Sequence, residues 1–182
     1  MAERGRKPLT TRDELLSRVI DHLAEQGIAK ATFRSLATSL GMSTYPLVYY
    51  FGSKEQLLGA VVAEVEHRLR DRVDRRLAEG DLSPWQWCLD NQALLRLEFE
   101  ILLQERGSPD GPLAHRVFRD WHRLFIERFE AEGLSAEEAE VEATLFVATV
   151  VGLQLDLITT GDADRTTRAY RRHVQRRADR RA

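Results

Sequence analysis

Apolar residues recur along this chain at intervals of three and four, and strict alternation is nearly absent, so the pattern reads as helix from end to end. The first predicted helix opens at the capping box Thr11-Arg12-Asp13-Glu14, carries Leu15, Leu16, Val19, Ile20 and Leu23, and is stopped by Gly27. A second, very short one starts at Thr32, buries Phe33, Leu36, Ala37 and Leu40, and ends at Gly41. Ser43 is expected to cap a third through about Tyr50, with Pro46 in the first turn, where its missing N–H has no partner to lose. Another capping box, Ser53 to Gln56, opens a long helix with a seam of Leu58, Val62, Val65, Leu69, Val73 and Leu77, ended by Gly80-Asp81. Pro84 begins a helix expected to run unbroken to about Arg106, before the breakers Gly107, Pro109, Gly111 and Pro112. Leu113 to Glu132 make the next. The last pair begins at the capping box Ser135 to Glu138 and at Asp162, with Gly161 between them. The expected fold class is therefore all-α: an N-terminal three-helix unit over residues 1–52 joined to a larger helical domain over 53–182.

Composition narrows the class further. A chain of 182 residues that is 43% hydrophobic can build a core. Its longest apolar stretch, Leu145 to Leu155, is interrupted by Thr149, Gly152 and Gln154, short of the roughly 20 residues that span a bilayer. With a polar, basic beginning, neither a signal peptide nor a membrane partner is expected, and the expected location is cytoplasmic. The single cysteine, Cys88, excludes an intrachain disulfide and a zinc site built on two thiolates. The net charge of −2 conceals an uneven distribution: 8 Lys/Arg against 6 Asp/Glu in residues 1–55, 11 against 22 in 56–164, and 8 against 1 in 165–182. A near-neutral total is thus no argument against nucleic acid.

The second and third helices, separated only by Leu40-Gly41-Met42, have the layout of a helix-turn-helix. In such a pair the later helix lies in the major groove with its leading residues at base edges. Thr44, Tyr45 and Tyr49 are hydrogen-bonding or stacking groups, while Leu47, Tyr50 and Phe51 suit the inward face. On the pattern alone, a small three-helix scaffold that binds no DNA stays open.

The run Thr32-Phe-Arg-Ser-Leu-Ala-Thr-Ser-Leu-Gly-Met-Ser43, followed by Leu47-Val-Tyr-Tyr-Phe-Gly-Ser-Lys-Glu-Gln-Leu-Leu58, resembles the TetR family of bacterial transcriptional regulators over about residues 10–60. The resemblance implies double-stranded operator DNA as a partner, bound by a homodimer with no cofactor. It places Arg34 where arginine can pair with guanine, and Ser43, Thr44, Tyr45 and Pro46 in the leading turn of the recognition helix. It makes Tyr49 a base or phosphate contact, Tyr50 a phosphate contact, and Lys54 the phosphate-binding lysine at a helix N-terminus. The chain departs from the family pattern at Val48, where tyrosine is usual; valine offers a thymine methyl an apolar partner but gives a phosphate no hydroxyl. Upstream, Arg4 and Arg6 flank a glycine, in what is either a solvated tail or an arm laid along a minor groove.

In the larger domain nearly every residue from Ala143 to Ile158 is apolar or small, too broad for one buried face, so the last two helices read as a dimer-forming pair or, more plainly, as core. The stripe Cys88, Gln92, Leu95, Phe99 and the group Trp121, His122, Phe125, with Gln154, combine apolar walls and a few polar groups. That combination describes a pocket for an apolar or aromatic effector, and equally a core with satisfied polar residues. The C-terminal arginines, from Arg165 to Arg181, suit a nucleic-acid patch, a partner for the acidic middle or a solvated face. The histidines are scattered and no HExxH, phosphate loop or carboxylate constellation is seen, so neither an enzyme nor a metal site is expected. The reading is a ligand-responsive repressor, with a constitutive DNA-binding dimer as the alternative.

Overall fold

The computed structural model describes residues 10–78, 85–104 and 113–179, with backbone alone over 72–78 and 177–179. The described residues form α1 (Arg12–Gln26), α2 (Phe33–Ser39), α3 (Tyr45–Phe51), α4 (Lys54–Ala78), α5 (Trp85–Asp90), α6 (Gln92–Gln104), α7 (Leu113–Ala131), α8 (Ala136–Thr160) and α9 (Ala163–Asp179), with no strand among them. The capping boxes read from the sequence are formed. Thr11 accepts from the Glu14 N–H and Glu14 from the Thr11 N–H, and Ser135 and Glu138 are paired in the same way. At the start of α4 the Ser53 hydroxyl accepts from the Gln56 N–H at 3.2 Å, and Gln56 Oε1 accepts from the Ser53 N–H at 3.1 Å.

Three apolar clusters hold these helices. The first joins α1, α2, α3 and the beginning of α4 to Leu97, Ile101 and Leu102 of α6 and to Leu113. The second gathers Val65 and Leu69 of α4, Trp85, Trp87 and Cys88 of α5, Leu95, Leu157, Ile158 and Tyr170. The third packs Phe125 and Phe129 of α7 on Ala139, Ala143 and Val147 of α8. The buried seam of α4 is wider than its period suggests, since Leu57 and Val61 are fully buried beside Val62 and Val65. The reason is that α4 packs on α1 and α3 on one side and on α6 on another.

Two expectations about helices are corrected. The segment after Pro84 is not one unbroken helix but α5 and α6, separated at Asn91. There the Asn91 amide donates to the Trp87 carbonyl at 2.9 Å, a side-chain bond that competes with the backbone ladder. In addition, α8 is long and apolar enough to cross a membrane by length and composition alone. Thr149, Gly152 and Gln154 interrupt the run, yet an 18-residue window of the helix keeps a mean hydropathy of 1.7. The helix packs against α6, α7 and α9.

At the C-terminal end, Arg165 forks onto Asp156 at 2.7 and 2.8 Å and reaches Asp162 at 3.2 Å, clamping α9 to the end of α8. This arginine is therefore a partner for the acidic middle of the chain. Arg168, Arg171, Arg172 and Arg176 are exposed.

Candidate nucleic-acid interface and enclosed cavity

The placement of α3 follows from two local devices. Thr32 and Ser35 cap α2 reciprocally. At the other end the Met42 N–H donates to the Ala37 carbonyl at 2.9 Å and the Gly41 N–H to that of Thr38 at 3.2 Å, the paired bonds of a Schellman turn. Gly41 sits at φ +65°, where a Cβ would be strained although no atom lies within 4 Å of it. Arg18 of α1 donates to the Leu40 carbonyl at 2.7 Å, fixing this corner against the first helix. We expect Gly41→Ala to cost about 1–2 kcal/mol through its left-handed backbone. Urea unfolding measures that cost, and an unchanged midpoint would show that the turn relaxes without strain.

The residue preceding α3 is Thr44, not Ser43 as expected, and it has helical dihedrals (φ −70°, ψ −15°) with no side-chain cap bond. Pro46 in the first turn removes one of the N–H donors that a cap would satisfy. Leu47 and Phe51 turn inward and are buried, whereas Tyr45, Val48 and Tyr49 are 39%, 51% and 51% exposed. The rings of Tyr45 and Tyr49 lie 5.8 Å apart. Ser43, Thr44 and Arg34 are exposed, and Pro46 and Lys54 are half-buried. Tyr50 differs from expectation: its hydroxyl donates to the Thr10 carbonyl at 2.8 Å, so the proton meant for a phosphate is used to tie α3 to the segment before α1. A contact that sequence reasoning missed lies nearby, the Arg12 guanidinium 5.4 Å from the centroid of Phe51. Arg4 and Arg6 lie outside the described residues.

A cavity of about 70 Å³ is lined by residues of α4 to α9. Of the expected ligand residues, Cys88, Phe99, Trp121, Phe125 and Gln154 line it. Gln92, Leu95 and His122 do not. The Gln92 amide turns back to the Leu89 carbonyl at 3.2 Å, Leu95 is fully buried in the second core cluster, and His122 Nδ1 bonds the Phe118 carbonyl at 2.7 Å. For Gln92 and His122, local bonds to the preceding turn satisfy the polar group that had marked each as a pocket residue. Gln154 donates to Cys88 Sγ at 3.4 Å, and burial pushes the Cys88 thiol up to about 12. Cys88 is thus a neutral wall group, not a thiolate nucleophile.

Sequence reasoning missed the most polar part of this cavity, Glu66 on α4 and Glu98 on α6. Glu98 is 7% exposed and hydrogen-bonded to Glu66. Burial, and then the bond and charge of Glu66, hold its carboxyl well above the usual range, which favours its protonated form as the donor to Glu66. Glu66 Oε2 is buried and has no hydrogen-bond partner. The signal was present: Glu98 stands three or four residues from Leu94, Leu95, Ile101 and Leu102, inside an apolar stripe where a charge is out of place.

Comparisons with known proteins agree with the N-terminal motif and with the fold. Residues 16–61 match the bacterial regulatory proteins of the tetR family. The chain is 32% identical over 84 residues to the HTH-type transcriptional regulator BetI 1 of Chromohalobacter salexigens, a match covering 46% of this chain and 41% of that protein. It thus spans about two fifths of the length of the BetI regulators it matches. It is 26% identical over 169 residues to the HTH-type transcriptional repressor AcnR of Corynebacterium efficiens, covering 86% of each. In three dimensions it is similar to a TetR transcriptional regulator from Legionella pneumophila, with a TM-score of 0.68 at 18% identity over 93% of this chain and 98% of that one. Residues 16–61 thus carry the helix-turn-helix region of the tetR family of bacterial regulatory proteins, and the chain shares the all-α fold of a solved TetR regulator.

Proposed function

We propose that the protein is a transcriptional repressor that binds a two-fold operator as a homodimer and leaves it when a small molecule occupies the cavity. Residues 1–52 read the DNA in this account, and residues 53–182 hold the ligand and dimerise. The observation that carries the reading is the outward face of α3, where Tyr45, Val48 and Tyr49 stand exposed on a seven-residue helix fixed by a Schellman turn. Large side chains gathered on such a small face suit a macromolecular partner. Arg34 and Lys54 flank it with positive charge suited to guanine and phosphate. The dimer is supported by a row on α8 spaced by three and four, Val141, Leu145, Ala148, Gly152 and Leu155, which is exposed in the single chain. The relatives named as regulators and as a repressor support regulation rather than catalysis.

Coupling between ligand and DNA runs through two helices. α4 leaves the DNA-reading unit and lines the cavity with Glu66 and Leu69. α6 gives Glu98, Phe99 and Leu102 to the cavity while Leu97 and Ile101 pack in the cluster built on α1, and Glu100 accepts from the Ile28 N–H at 3.4 Å. A ligand that displaces either helix changes the spacing of two recognition helices in a dimer, and the effects of DNA and ligand are then reciprocal.

The test is selection of fragments of the source genome by the purified protein near physiological salt. A palindrome should be enriched, and Tyr49→Ala and Arg34→Ala should each weaken its binding by about 1–3 kcal/mol while leaving non-specific binding less affected. Enrichment of no sequence, or equal enrichment by both variants, would remove α3 and α2 as the reading elements.

A further inference from the structure

We infer that the cavity is a receptor for a lipophilic organic cation bearing an N–H donor, with the Glu66 and Glu98 carboxyl groups as its recognition end. The inference rests on the cavity being the effector site. It names the class of molecule that the site selects.

Three features of the cavity converge on this class. Its walls are aromatic, including Trp85, Phe99, Phe118, Trp121 and Phe125, so the body of the ligand is apolar. Its polar end holds two acids in contact, and among the described residues neither is joined to a cation by a salt bridge. One oxygen of Glu66 is buried with no hydrogen-bond partner, although burying such an acceptor unpaired is costly. Without ligand, the pair is held together by sharing a proton, which leaves that acceptor unmet. An ammonium has several donors and a full charge. It bonds both carboxyl groups, supplies the missing donor and replaces the shared proton.

The surrounding charges are compatible with a cation. Arg70, one turn beyond Glu66 on α4, is engaged with Trp121, its guanidinium 5.0 Å from the ring centroid, and does not line the cavity. Gln154 and Cys88 are neutral, and the thiol stays protonated. A neutral alcohol would bring one donor and leave two acids facing each other. A carboxylate ligand would add a third acid to a site that already confines two.

Phenylbutylamine, phenylbutanol and phenylbutyrate share one apolar body and differ in the charge of the end group, so they isolate this term. Isothermal titration of the full chain at neutral pH should show the amine binding roughly tenfold or more tighter than the alcohol, as close charge pairs in desolvated sites do, with the acid failing to bind. Glu98→Gln and Glu66→Gln should each bring the amine toward the alcohol's affinity. Retained alcohol binding reports that the variant cavity is intact. If the alcohol or the acid matches the amine in the natural protein, or if the amine's advantage survives both substitutions, the cation assignment is overturned while the effector cavity stands. If none of the three binds, the effector reading falls together with it.

Discussion

Leu145→Glu is expected to leave a folded monomer that binds a palindromic operator more weakly by roughly two to four orders of magnitude, the gain that two linked binding modules normally confer. The argument begins with the two sides of α8. Ala139, Ala143, Val147, Gln154, Leu157 and Ile158 are buried within the chain, and this side alone satisfies the core. On the other side Val141, Leu145 and Leu155 are 55%, 54% and 48% exposed. A Cβ added at Gly152 would meet nothing within 4 Å, so the chain's own fold does not require a glycine there, whereas a second backbone crossing at that point would. Because Leu145 is so exposed, its replacement should change the stability of the single chain by about 0.5 kcal/mol or less. A carboxylate buried in a dimer contact would instead be desolvated without a partner. Sedimentation measures the association state, and operator titration on the same sample measures the affinity. A Leu145→Glu protein that remains dimeric would place the interface elsewhere.

How much of this molecule was legible in the sequence depended on whether the governing interaction was local. The start of α1, the two ends of α2 and the starts of α4 and α8 are set by bonds spanning three to five residues, such as Thr11 with Glu14 and Met42 with Ala37, and their signals are contiguous. The failures at Ser43 and Asn91 are local as well, but each turns on a competition. Pro46 takes away a donor in the first turn of α3, and the Asn91 amide bids for a carbonyl that the helix ladder also uses. Tyr50 was hidden for a different reason. Its acceptor, Thr10, is 40 positions away, and no periodicity connects the two.

The cavity shows the same division. Phe99, Trp121 and Phe125 were found because aromatic stripes are visible in one helix at a time. Which side of each stripe faces space is settled by the packing of α7 on α8 and of α6 on α4, which reaches across long sequence separations. Glu66, taken on its own helix, resembles an ordinary surface charge, and Glu98, although out of place in its apolar stripe, shows no partner there. Only their meeting makes them a site, and helix periodicity does not specify that α4 and α6 meet face to face.

Glu98→Gln is expected to change the pH dependence of stability in a direction fixed by that meeting. The folded protein holds the Glu98 proton well above the range in which an unfolded chain releases it, near the ordinary value of 4.5. The stabilisation linked to this proton is therefore fully present below the unfolded value, and it is lost as pH rises through the folded one. Each unit by which burial lifts that group costs the natural protein about 1.4 kcal/mol at higher pH relative to a neutral side chain. Glutamine is of similar size, stays neutral and keeps an N–H donor for Glu66, so the variant lacks this loss. The two proteins should melt at similar temperatures near pH 4, and the variant should gain steadily as pH rises, by about 2–4 °C for each kcal/mol in a chain of this length. Melting curves from pH 4 to 9 without ligand make the comparison. Parallel curves over that window would mean that Glu98 is already ionised in the folded protein. The phenylbutylamine experiment examines binding, whereas these curves examine the empty pair, so each restricts what the other can mean. Together, a charge preference removed by Glu98→Gln and a proton retained by the natural protein would describe one exchange, in which the ligand's cation takes the place of the proton shared by Glu66 and Glu98.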